Sequence, residues 1–76
     1  MRALKVQATW DDEAKVWVAE SDDVPGLITE APTISALELK LDALIPELLA
    51  ENRVTAERDI PLEIVWHTRR IVHAAE

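Results

Sequence analysis

The chain contains no cysteine among its 76 residues, which excludes a disulfide framework and a thiolate metal site. A single glycine, Gly26, excludes a glycine-rich phosphate loop. No apolar run reaches the roughly 18 residues that a membrane-spanning helix needs. The N-terminal Met-Arg-Ala-Leu-Lys-Val lacks the apolar stretch and small-residue cleavage site of a signal peptide. The expected compartment is therefore the cytoplasm, and the absence of cysteine agrees with it. Basic residues are also scarce, 8 against 15 acidic, for a net charge of −7.

The charge that is present is concentrated. Asp11, Asp12, Glu13, Glu20, Asp22, Asp23 and Glu30 face only Lys15 over residues 11–30, a local charge of −6. Such a field repels phosphate backbones and attracts basic surfaces. It serves solubility in any case. Arg69 and Arg70, near Trp66 and His67, form the one basic-aromatic cluster, a weak nucleic-acid signal on so acidic a chain.

This length gives one domain, 1–76, with a marginal core. Self-association is a plausible further source of stability. Leu4, Val6, Ala8 and Trp10 alternate with Lys5, Gln7 and Thr9, the period of a half-buried strand. Residues 11–14 have hairpin-loop length, and residues 15–20 read as a second strand. Trp17 faces the core in one hairpin register and outward, as a partner anchor, in the register one residue away.

Pro25-Gly26 suits the central positions of a type II turn, followed by a short third strand near 27–31. Over residues 33–50, Ile34, Leu37, Leu41, Leu44, Ile45 and Leu48 form one helical stripe. Its start is marked by Thr33 as N-cap, or by Ser35 with Glu38 as a capping box. Pro46 predicts a kink or a break near Leu44–Ile45. A polar linker near 51–60 precedes a strand-like stretch over 61–73. The order is β-β-β-α-β, a two-layer α+β domain whose last strand can run parallel to an earlier one.

No constellation here signals catalysis. His67 and His73 on one strand would stand about 20 Å apart, at ~3.3 Å per residue, too far to share a metal. The pairs Asp11–Asp12 and Asp22–Asp23 raise a divalent-metal enzyme as the least favoured option, because strand neighbours point to opposite faces and turn chemistry explains both pairs. No cofactor is expected.

Trp10-Asp11, Val16 to Leu27, Thr29-Glu30-Ala31 and a Thr-capped helix with Leu37, Lys40 and Leu41, ending Ile45-Pro46-Glu47-Leu48-Leu49, together resemble a small bacterial family of unknown function. That family looks like a stand-alone branch of the HicB-like antitoxins. The resemblance covers residues 4–50. It implies a partial ribonuclease H-like fold without the nuclease carboxylates, and binding to a HicA-like toxin, a small basic ribonuclease. The Asp23–Gly26 turn and the Thr33-capped helix correspond to family motifs, so Pro25, Gly26 and Thr33 are expected to be structural. The partner-facing residues expected are Asp11, Asp12, Trp17, Glu20, Asp22 and Asp23. Full-length HicB-like antitoxins often carry a separate DNA-binding domain; only 26 residues follow Ala50 here, so no direct nucleic-acid binding is expected. A homodimeric interaction domain is the alternative role.

Overall fold

The computed structural model describes residues 2–54 and 58–75. The elements run β1 (Leu4–Asp11), β2 (Val16–Glu20), β3 (Ile28–Ala31), α1 (Ile34–Glu51) and β4 (Leu62–His67). They form a two-layer α+β domain, one helix on a four-stranded mixed sheet ordered β3-β2-β1-β4. The pairs β1–β2 and β2–β3 are antiparallel, and β1–β4 is parallel. The helical crossover after β3 supplies the reach that parallel pairing requires.

Hairpin geometry resolves the register of β2. Asp11 pairs with Val16 and Trp10 with Trp17, leaving a four-residue loop. Lys15 closes that loop with φ 59°, and its N–H donates to the Asp11 carbonyl at 2.7 Å. Trp17 therefore lies on the inner face, opposite Trp10. Its ring stands edge-on to Trp10 at 5.4 Å and to Trp66 at 5.2 Å, distances at which aromatic pairs attract.

The core forms where α1 crosses the sheet. Ala8, Ala19 and Ala31 are buried on the inner face, and their small side chains let the helix approach closely. Leu37, Leu41, Ile45 and Leu49 fill the gap, joined by Val6, Val24 and Leu27. α1 lies over β3 and β2. Leu62, Ile64 and Trp66 of β4 are consequently only half-buried.

Thr33 is the N-cap of α1: its side chain accepts from the Ala36 N–H at 3.1 Å. Pro46 neither breaks nor splits the helix, which runs unbroken from Ile34 to Glu51. Both Pro46 and Asp42, whose carbonyl loses its donor, are exposed, so the loss falls on the solvent side of the helix.

The linker expected near 51–60 falls partly outside the described residues, at 55–57. Its beginning is ordered by a Schellman cap. The Arg53 N–H donates to Ala50 at 3.1 Å and the Val54 N–H to Leu49 at 2.9 Å, with Arg53 at φ 55°. A left-handed residue with a Cβ carries a conformational cost that glycine avoids. Arg53→Gly should therefore raise stability by about 0.5–1 kcal/mol, read as an upward shift of the urea midpoint.

The strand expected over 61–73 is shorter. β4 ends at His67, opposite Thr9, while β1 continues through Trp10 and Asp11 paired only with β2. Residues 68–75 run on without regular structure and are exposed.

Candidate partner-binding surface

The helix covers one face of the sheet and leaves the other open. On the open face stand Lys5, Gln7 and Thr9 of β1, Val16, Val18 and Glu20 of β2, and Ile28 and Glu30 of β3. The register fixes this set, with Gln7 opposite Glu20 and Glu20 opposite Ile28. At the end where β2 passes into the 21–27 turn, these residues border an open cleft of about 450 Å³ lined by Lys5, Gln7, Glu20, Ser21, Asp22, Asp23, Gly26, Leu27 and Ile28.

The rim of the cleft is built by local chemistry. The Ser21 hydroxyl donates to the Lys5 carbonyl. It also accepts from the N–H groups of Asp23 at 3.0 Å and Val24 at 3.2 Å. The Asp23 carboxylate accepts from the Lys5 N–H at 2.8 Å and lies 3.6 Å from the Arg2 guanidinium. Together these bonds fasten the turn to the start of β1. Val24 and Leu27 close a type II turn, Leu27 N–H to Val24 carbonyl at 3.1 Å, with Gly26 at φ 80°. A Cβ on Gly26 would find ordinary contact with Leu48 at 3.6 Å, so positive φ, not space, selects glycine. Asn52, just past α1, donates to the Pro25 carbonyl at 3.3 Å and ties the turn to the helix.

The expected partner-facing residues divide by role. Asp11 accepts from the N–H groups of Glu13 and Ala14 at 3.0 and 3.1 Å, an Asx turn that shapes the hairpin. Asp12 accepts from Lys15 Nζ at 2.9 Å and from the Trp10 indole N–H at 3.3 Å. The Lys15 bond, then the indole bond, hold its carboxyl below the ordinary aspartate value. The small support this gives the hairpin is present above the ordinary carboxylate range and fades as pH falls through the lowered value. Asp23 is tied up in the rim, and Trp17 belongs to the inner face. Glu20 and Asp22 remain exposed on the cleft side.

The acidic segment is also not one patch in space. Six residues of β1 separate Asp11 from Lys5, where Asp23 is anchored, about 20 Å at ~3.3 Å per residue. The fold places Asp11 and Asp12 at the hairpin end and Glu20, Asp22 and Asp23 at the cleft. Ile28, 75% exposed beside Glu20, is a surface residue that the sequence reading does not single out. Its signal is the alternation after Gly26: Thr29 and Ala31 point inward, so Ile28 and Glu30 point out. Among the described residues no three His, Asp or Glu side chains gather into a group able to hold a metal ion. Among the described residues no helix is long and apolar enough to cross a membrane.

Comparison with known proteins gives a consistent outline. No curated protein matches the sequence. The crystal structure of the hypothetical protein TTHA1013, from the extremely thermophilic bacterium Thermus thermophilus, is 55% identical, with a TM-score of 0.73 over 96% of this chain and 100% of that one. Residues 3–74, from the start of β1 through the segment after β4, match the family described as a domain of unknown function, DUF1902. With nearly its whole length inside that match, the chain belongs to the DUF1902 family.

Proposed function

We propose that the protein is a non-catalytic binding module of the HicB-like antitoxin class, which masks a small basic ribonuclease of the HicA-like type. The observation that carries this reading is the open sheet face. Glu20, Glu30 and Asp22 there surround exposed Ile28 and half-buried Val16 and Val18. A rigid face with an apolar centre and an acidic rim suits a basic protein partner, since charge complementarity speeds encounter and apolar contact slows release. The β-β-β-α-β order is the order that the HicB-like resemblance implies, and it supports the same reading.

The test is reversal of the free acids, Glu20→Lys, Asp22→Lys and Glu30→Lys together. None of these side chains holds the turn or the core, so the fold should survive, as circular dichroism will verify. Association with a small basic ribonuclease of the HicA-like type should slow at least about tenfold at low salt, the scale of steering effects. An unchanged association rate would remove the acidic face from the mechanism.

A further inference from the structure

The inner face of β4 and the segment after it pose a separate problem. β4 is an edge strand, bonded to β1 on one side only. Leu62, Ile64 and Trp66 lie half-exposed on the part of the sheet that α1 does not cover, with half-buried Ile60 just before them in the chain. Past His67 the chain projects outward with Ile71 87% and Val72 80% exposed. The radius of gyration is 14.8 Å, whereas a compact chain of this length would give about 11 Å. The structure is drawn out to 56 Å along one axis and only 23 and 19 Å along the others.

We infer that this region is the interface with a second copy of the chain. Two β4 strands pair antiparallel about a twofold axis, and each following segment crosses onto its partner's half-covered inner face. Two observations select a second copy as the occupant. First, residues 67–75 contain no Gly, Pro, Asn or Asp, the residues that make tight reversals. The segment is therefore poorly suited to turn back over its own β4. Second, antiparallel pairing of two β4 strands sends each segment past Leu62 of the other copy, where Ile71 and Val72 would cover half-exposed Leu62 and Ile60. Pairing of this kind also removes a free sheet edge, a standing aggregation hazard.

The experiment uses the full chain alone, so its result is independent of any toxin. Sedimentation equilibrium at micromolar concentration should show a dimer. Ile71→Glu with Val72→Glu should raise the dimer dissociation constant at least tenfold. The monomer's circular dichroism should not change, since both side chains are exposed. Because the chain has no cysteine, an Ile71→Cys sample mixed with an Ile60→Cys sample should form a disulfide heterodimer. A monomer under these conditions would overturn the inference. So would a dimer indifferent to the segment variants and lacking the cross-link.

Discussion

Leu41→Ala is expected to cost about 2–5 kcal/mol, the range for emptying a buried leucine site. Leu41 is fully buried at the middle of the α1 stripe, over the alanines of the inner face. Neighbours that are already small cannot swing in to fill the space, so the site collapses poorly. A domain of this size holds about 4–11 kcal/mol in total, so the loss is a large fraction of its stability. Urea unfolding followed by tryptophan fluorescence will measure it, since Trp10, Trp17 and Trp66 form one edge-to-face group. A loss below about 1 kcal/mol, the level of an ordinary surface-adjacent change, would mean that the helix is not seated as described.

Ser21→Ala combined with Asp23→Ala is expected to cost about 2–4 kcal/mol, from net values near 1 for a neutral hydrogen bond and 1.5–3 for one to a charged group. Both side chains bond to the Lys5 backbone, so the two losses should not be additive. Asp22→Ala should change stability by no more than about 0.5 kcal/mol, because that side chain is exposed and makes no such bond. Comparing the three variants by thermal unfolding separates the aspartate that builds the turn from its neighbour that faces solvent. Equal losses at Asp22 and Asp23 would contradict this division.

That pair shows where the sequence is legible and where it is not. Asp22 and Asp23 are the same residue type in consecutive positions, and only the distance to β1, a tertiary fact, tells them apart. The Pro25-Gly26 turn and the Thr33 cap are readable because each is written in local chemistry, a forced φ and a side chain reaching its own N–H groups. The face of Trp17 is not readable, because both faces of β2 are apolar, Val16 and Val18 against Trp17 and Ala19. Only the left-handed Lys15 and the four-residue loop settle it. Pro46 signals a kink or a break, and the helix runs through it without a break. Charge read along the sequence suggests one acidic surface, whereas β1 divides it between two ends.

The most direct test of the proposed role is calorimetric titration of the chain into a small basic ribonuclease of the HicA-like type, with RNA cleavage assayed in parallel. Binding should be saturable, suppress cleavage, weaken as salt rises, and be lost with the Glu20, Asp22 and Glu30 reversals. Full ribonuclease activity in the presence of a saturating excess of the chain would contradict it.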